Sequence, residues 1–137
     1  MSEQDASGPG RSGPLRWGVV MVSLEPVEGH EQAGTRPVVV VSYEPFHRSG
    51  LMTVCPLTSS RYEARYPGEV PIGAGEGGLA RSGVVLCAQV RTISIRRIAD
   101  APIGYVTSPE TRLAIRRALV HHLGLDVPPA ADAAGAP

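Results

Sequence analysis

The chain has 137 residues, 42% of them apolar, so it is long enough for one buried core and too short for two ordinary domains. Thirteen basic residues balance thirteen acidic ones, and this neutral total argues against a protein that coats nucleic acid indiscriminately. No apolar run approaches the ~18 residues of a membrane helix and the Ser/Gly/Pro-rich start is unlike a signal peptide, so we expect a cytoplasmic protein without membrane contact.

In chain order, residues 1–14 lack periodicity and are predicted to be a disordered extension. A first strand is predicted at 17–24, followed by a long polar loop at 25–35. The next strand contains four consecutive valines, Val38 to Val41, which leave no polar face. We therefore expect this strand to lie in the centre of a sheet that is covered on both sides, with Pro37 where the strand begins.

The chain then alternates connectors and short strands. Residues 43–50 are predicted to be a connector with one helical turn, and 73–78 a flexible glycine-rich loop. Further strands are predicted at 51–57, 69–72, 84–90 and 103–106, the second of them an edge strand because it contains a proline.

One helix is well signalled near the C-terminus. Ser108 is its predicted N-cap, Pro109 its first residue, and Gly124 lies just past its end. Its apolar stripe is predicted to be Ile115, Leu119 and Leu123. Its solvated face is predicted to carry Arg112, Arg116 and Arg117. The Pro/Ala-rich residues 126–137 are predicted to be a disordered tail, and the whole pattern indicates a mainly β barrel with a minor α component.

Polar side chains stand at the ends of two of the apolar runs. Arg36 precedes the valine strand, while Thr58 and Ser59 follow the neighbouring run. All thirteen basic residues are arginine, whose planar fork suits phosphate, and nine of them lie between Arg61 and Arg117. A coding bias explains the missing lysines but not this clustering. Taken alone, Arg36 reads as a solvated surface residue and the two hydroxyls as turn groups that bond their own backbone.

The two cysteines, Cys55 and Cys87, each lie inside an apolar run and have no metal-binding spacing. Buried, reduced thiols are the expected outcome, and neither a metal nor another cofactor is predicted.

Four short motifs in order resemble the MazF/PemK toxins. They are Trp-Gly-Val-Val at 17–20, Gly-His-Glu-Gln-Ala-Gly-Thr-Arg-Pro-Val-Val-Val-Val-Ser at 29–42, Val-Cys-Pro-Leu-Thr-Ser at 54–59 and Gln-Val-Arg-Thr at 89–92. The likeness covers about residues 15–125, which we take as the toxin domain. It implies an SH3-like barrel of the CcdB/PemK/MazF type with a C-terminal helix.

The same resemblance implies a type II toxin–antitoxin mRNA interferase. Such a protein forms a homodimer, binds single-stranded RNA across the dimer groove, cleaves it at short motifs without a metal, and is inhibited by a cognate antitoxin. The implied catalytic residues are Arg36 and Thr58, with Glu31 beside them. The candidate RNA-binding residues are His30, Ser59, Gln89, Arg91 and Tyr62, and Tyr43, Phe46 and Tyr66 are further candidates for the groove walls.

The chemistry of each group favours particular roles. Arg36 is suited to clamp a phosphate and Thr58 to donate to developing charge, whereas Glu31 or His30 is the more natural proton acceptor. Ala88 stands where the family often has an acidic residue, so no carboxylate at that position can act as base.

Two alternatives remain open at the level of sequence. One is a non-catalytic, CcdB-like toxin that binds a protein such as DNA gyrase, although the polar and small C-terminal residues do not match the aromatic and aliphatic end expected of such toxins. The other is a catalytically dead family member that only binds antitoxin, which Ala88 would favour if it replaces an indispensable base.

Overall fold

A computed structural model describes residues 13–23 and 34–130 of the chain. Within them the elements are β1 (Gly18–Ser23), β2 (Thr35–Val40), β3 (Leu51–Thr58), β4 (Glu69–Ile72), β5 (Gly83–Leu86), β6 (Arg91–Ser94), β7 (Gly104–Tyr105) and the helix α1 (Pro109–His122). The predicted N-terminal extension up to residue 12, the loop residues 24–33 and the tail from residue 131 lie outside the described part. No helix of the described ranges is long and apolar enough to span a membrane.

All strand pairs are antiparallel, in the order β4-β5-β3-β2-β1-β7, and β6 pairs with β3. The strongly bent sheet with α1 packed on it confirms the predicted mainly β, SH3-like barrel with a C-terminal helix. The edge position of β4 also agrees with the prediction from Pro71.

The valine run of β2 is covered on both faces, as predicted. Val39 and Val41 belong to one buried cluster, together with Ile115 of α1. Val38 and Val40 belong to a second cluster on the opposite face of the sheet. Because successive side chains of a strand point to opposite faces, four consecutive valines divide evenly between two cores.

The position of Pro37 differs from the prediction. It is the third residue of β2 and lies opposite Met21 of β1, because the strand begins at Thr35. A proline is tolerated there because the described ladder between β2 and β3 begins only at Val38, so no bond to β3 is lost at Pro37.

The helix begins as predicted. The Ser108 hydroxyl accepts a hydrogen bond from the Thr111 N–H at 3.2 Å, and Pro109 is the first helical residue. Ile115 and Ala118 are buried against the sheet, but Leu123 is 59% exposed, so the predicted stripe was wrong at its last member. Leu123 is already the C-cap, where the chain leaves the helical path, and its side chain no longer points to the core.

Arg112 does not lie on a solvated face. Its Nε donates to the Val106 carbonyl at 2.7 Å, and its guanidinium carbon lies 5.3 Å from the centre of the Trp17 ring. This arginine therefore attaches α1 to the start of the sheet.

The glycine-rich loop is a packed turn rather than the flexible loop expected. Gly77 and Gly78 have φ of +67° and +76°, and a Cβ on Gly78 would collide with the Ile103 carbonyl oxygen. The Glu76 carboxylate accepts hydrogen bonds from the Thr107 and Ser108 N–H groups, at 2.7 and 3.0 Å. These contacts hold the turn against the strand that leads into α1.

Candidate active site

The candidate site lies where β2 and β3 separate. Their ladder pairs Val38 with Pro56 and goes no further. Beyond it, Leu57 and Thr58 of β3 pair with β5, while Arg36 and the rest of β2 remain paired with β1. Pro37 and Pro56 both lack an N–H, so neither can donate a further bond across this gap. The two strands therefore diverge and leave a cleft between them.

The cleft is a pocket of about 390 Å³. It is lined by Arg36, Pro37, Leu57, Thr58, Ser59, Ser60, Leu79, Arg81 and Gly83. Two guanidinium groups and three hydroxyl groups thus face one space above an apolar floor. Neither a carboxylate nor a histidine is among these lining residues, and such a set of donors favours an anion.

Thr58 is held by a local turn. Its Oγ1 accepts a hydrogen bond from the Ser60 N–H at 3.2 Å and lies 3.0 Å from the Ser60 hydroxyl oxygen. This is the backbone-bonded hydroxyl that its position after a strand favours. The Ser60 N–H uses only an acceptor site of Thr58, and either hydroxyl can be the donor in the contact between the two side chains. When the Ser60 O–H is the donor, the Thr58 O–H is available to donate to a ligand.

Arg36 and Arg81 are both exposed, and neither side chain has a hydrogen bond or ion pair with another described residue. Arg61 contrasts with them, because it forms a two-bond pair with Glu69 at 2.8 and 2.7 Å. Hydrogen bonds from Arg61 and from the Arg65 N–H hold the pKa of Glu69 down, at about 2. Within the described part of the chain, the donors of Arg36 and Arg81 are thus unused, whereas those of Arg61 bind Glu69.

The structure brings three of the predicted residues together, Arg36, Thr58 and Ser59. Three others do not line the pocket: Gln89 ends a short 3-10 turn, Arg91 begins β6 opposite Val54, and Tyr62 is exposed in the connector after β3. Glu31 and His30 lie outside the described residues.

The remaining groove-wall candidates and Ala88 also lie away from the pocket lining. Tyr43, Phe46 and Tyr66 are exposed to 68%, 38% and 64%. Ala88 is exposed in the same 3-10 turn as Gln89, close to Gly68.

Two polar lining residues, Ser60 and Arg81, were not predicted from the sequence. Ser60 continues the run of hydroxyls after β3, so its position was available from the sequence. Arg81 is separated from Thr58 by more than twenty residues, and only the pairing of Thr58 with Val84 brings its segment to the pocket.

The thiols are as predicted. Cys55 and Cys87 are free and fully buried. A hydrogen bond with Cys87, followed by burial, raises the pKa of the Cys55 thiol far above its usual range, so this group is inert as a nucleophile. In the described ranges no three His, Cys, Asp or Glu side chains are grouped so that they could hold a metal ion.

Relatives that match this sequence are named as endoribonucleases. The chain is 36% identical over 104 residues to the endoribonuclease toxin ChpB of Escherichia coli, which covers 74% of this chain and 88% of ChpB. It is 37% identical over 86 residues to the endoribonuclease EndoA of Bacillus subtilis, covering 62% of this chain and 74% of EndoA.

Solved structures give the same result. An endoribonuclease in complex with its cognate antitoxin, from a mycobacterial species, is 29% identical with a TM-score of 0.67, covering 85% of this chain and all of that one. The MazE–MazF complex of Deinococcus radiodurans is 32% identical with a TM-score of 0.66, covering 82% of this chain and 96% of that one. Residues 15–123 match the PemK-like, MazF-like toxins of type II toxin–antitoxin systems, and the chain belongs to that family.

Proposed function

We propose that the protein is a sequence-specific, metal-independent endoribonuclease toxin that cleaves single-stranded RNA, above all mRNA, in the cytoplasm. Family membership and the names of the relatives support this activity. The observation that carries it is the shared pocket of Arg36 and Thr58, a guanidinium and a hydroxyl from two strands that face one space, with no carboxylate among the described lining residues.

The reaction uses a nucleophile that the RNA itself supplies. The 2′-oxygen attacks the neighbouring phosphorus, the bond from phosphorus to the 5′-oxygen breaks, and the products carry a 2′,3′-cyclic phosphate and a 5′-OH. The attacking hydroxyl loses its proton and the departing oxygen gains one. The protein must therefore provide a proton acceptor, a proton donor and hydrogen bonds to the charged phosphorane.

Arg36 and Thr58 fit the last of these tasks. The fork of Arg36 can bind two phosphate oxygens at once and stabilise the charge that develops on them. Thr58 donates a further hydrogen bond, with its oxygen oriented by the Ser60 N–H. We assign the proton acceptor to Glu31, with His30 as the alternative, because both precede Arg36 by only a few residues.

Ser59, Gln89, Arg91 and Tyr62 are assigned to RNA binding. Only Ser59 shares the pocket of Arg36. The other three are therefore proposed to contact nucleotides on either side of the cleaved linkage, where base stacking and phosphate contacts set the sequence preference.

We further propose that the protein works as a homodimer and is held inactive by a cognate antitoxin. The structural neighbours include toxins solved together with their antitoxins, which supports the second partner. Size-exclusion chromatography with light scattering would measure the mass of the assembly.

One assay tests the activity. The purified protein is incubated with a long single-stranded RNA in excess EDTA, and the fragment ends are mapped. We expect 2′,3′-cyclic phosphate and 5′-OH ends at a short recurring motif, lost in Arg36→Ala and Thr58→Ala. Intact RNA from a correctly folded protein would refute the proposal, and inhibition of DNA gyrase by that protein would identify the CcdB-like alternative.

A further inference from the structure

The pocket contains a second guanidinium, that of Arg81, which has no role in the proposed reaction. Arg81 lines it from the segment that leads into β5. Thr58 pairs with Val84, and a continuation of this register places Gly83 beside Ser59. A Cβ on Gly83 would collide with the Thr58 carbonyl oxygen, so the two backbones are in close contact. The segment that carries Arg81 is therefore fixed to the strand that carries Thr58.

The neighbours of Arg81 are occupied elsewhere. The Ser82 hydroxyl accepts a hydrogen bond from the Ala74 N–H at 3.0 Å, which holds the segment on its other side. Glu76, the nearest carboxylate along the chain, is bound to the Thr107 and Ser108 N–H groups. Arg81 itself is exposed and has no hydrogen-bond or ion-pair partner among the described residues. No described residue therefore competes with a ligand for the N–H donors of Arg81.

Arg36 and Arg81 enter the pocket from opposite sides. Arg36 belongs to β2 and Arg81 precedes β5, and these two strands flank β3. Paired strands lie about 4.8 Å apart and β2 separates from β3 at the cleft, so the backbones of β2 and β5 are at least about 10 Å apart there. A spacing of this size suits two successive charges of one extended polyanion better than two grips on a single phosphate.

We propose that Arg81 binds a backbone phosphate of the RNA on the β5 side of the linkage that Arg36 and Thr58 hold. This inference rests on the proposed function for the identity of the ligand. Arg81 then contributes to the affinity and register of the RNA rather than to the reaction at phosphorus, because a phosphate contact positions the strand without reading its sequence.

The salt dependence of binding tests the contact directly. Each phosphate contact with a single strand adds about 0.7 to the slope of log affinity against log salt concentration. The probe is a fluorescent pool of short, random-sequence 2′-O-methyl RNA, which lacks the attacking hydroxyl and cannot be cleaved by the proposed reaction. Binding is followed by fluorescence anisotropy for the wild type and for Arg81→Ala, Arg81→Lys and Arg48→Ala.

Arg48 provides the matched control. It is exposed like Arg81, does not line the pocket, and lies before the start of β3. Thr58 ends that strand, about 23 Å away along its length.

We expect Arg81→Ala to lower the slope by about 0.7 and to weaken binding at low salt about five- to tenfold, while Arg81→Lys keeps most of the slope and Arg48→Ala changes neither quantity. With a cleavable RNA, Arg81→Ala should raise KM by a similar factor and leave kcat within about threefold.

The inference is overturned if Arg81→Ala binds with the wild-type slope and affinity, if Arg48→Ala lowers the slope equally, or if the wild type does not bind the probe. Its failure is distinct from that of the proposed function. If the wild type cleaves RNA and Arg81→Ala binds the probe as the wild type does, only the inference is refuted. If binding depends on Arg81 but the wild type does not cleave RNA, only the proposed nuclease activity is refuted.

Discussion

Arg36 and Thr58 stand on adjacent antiparallel strands, at the positions that would face each other if the ladder of β2 and β3 continued two residues beyond Val38 and Pro56. The ladder stops there, so the gap that would hold a backbone hydrogen bond is open to a ligand instead. Antiparallel pairing as far as Val38 and Pro56 thus brings the two residues to one pocket although 22 positions divide them in the chain.

Replacement of Arg36 should abolish most of the activity. We expect Arg36→Ala to lower kcat roughly 100- to 1,000-fold, because a preorganised donor to the developing phosphorane charge is lost. Arg36→Lys keeps the charge but loses the two-pronged bond and should remain at least about tenfold impaired. Single-turnover cleavage of a fluorogenic RNA measures both, and a fully active Arg36→Lys would mean that charge alone is needed.

Thr58 should be needed for its hydroxyl and not for its methyl group. Thr58→Ala is expected to lower kcat about 10- to 100-fold, whereas Thr58→Ser stays within about threefold of wild type. The matched control is Thr53→Ala on the same strand. The Thr53 hydroxyl forms a hydrogen bond of 2.8 Å with the Thr92 hydroxyl, and neither residue lines the pocket. Equal losses in Thr53→Ala and Thr58→Ala would point to strand stability as the common cause.

The pH dependence of kcat/KM should identify the proton acceptor. An acid limb is expected in the profile, because the acceptor must be deprotonated before it can take the proton. Glu31→Gln should then remove the limb and lower the rate, while Glu28→Gln, a change in the same segment, should leave the profile intact. A profile unaffected by both Glu31→Gln and His30→Gln would exclude this pair.

The ion pair of Arg61 and Glu69 should give the fold a defined acid sensitivity. The pKa of Glu69 is lowered to about 2 in the folded state, so its stabilising contribution is complete above the unfolded value, near 4.5, and is lost as the pH falls from there towards 2. Thermal unfolding followed by circular dichroism should show a smaller drop in Tm over this range for Glu69→Gln than for wild type. Parallel curves for the two proteins would show that the pair contributes nothing measurable.

Two glycines of one turn should respond differently to alanine. Gly75 and Gly78 both have positive φ, of +94° and +76°, so each substitution should cost about 1 kcal/mol in backbone strain. A Cβ at Gly75 meets no atom within 4 Å, whereas one at Gly78 collides with the backbone of Ile103. We expect Gly78→Ala to lower the free energy of unfolding by at least about 2 kcal/mol more than Gly75→Ala, as measured by urea unfolding. Similar values for both would show that the turn moves freely away from β7.

The sequence alone determined the parts of this protein that depend on near neighbours in the chain. Four valines without a polar face required a strand with two covered sides, and Ser108 with Pro109 required a helix start, because burial and capping act over one strand or one turn. The four motifs in order indicated the family, and the family resemblance implied that Arg36 and Thr58 are catalytic residues.

Only the tertiary structure decided what surrounds those two residues. Four features depend on how distant segments of the chain are arranged. They are the separation of β2 and β3, the position of Arg81 in the pocket of Thr58, the packed glycine turn and the exposure of Leu123. Hydrophobic pattern specifies which side of a strand is buried, but it does not specify which strand lies beside it or where a ladder ends. For that reason the local sequence pattern was enough to identify Arg36 and Thr58 as candidates, whereas the presence of Arg81 in the same pocket followed only from strand pairing.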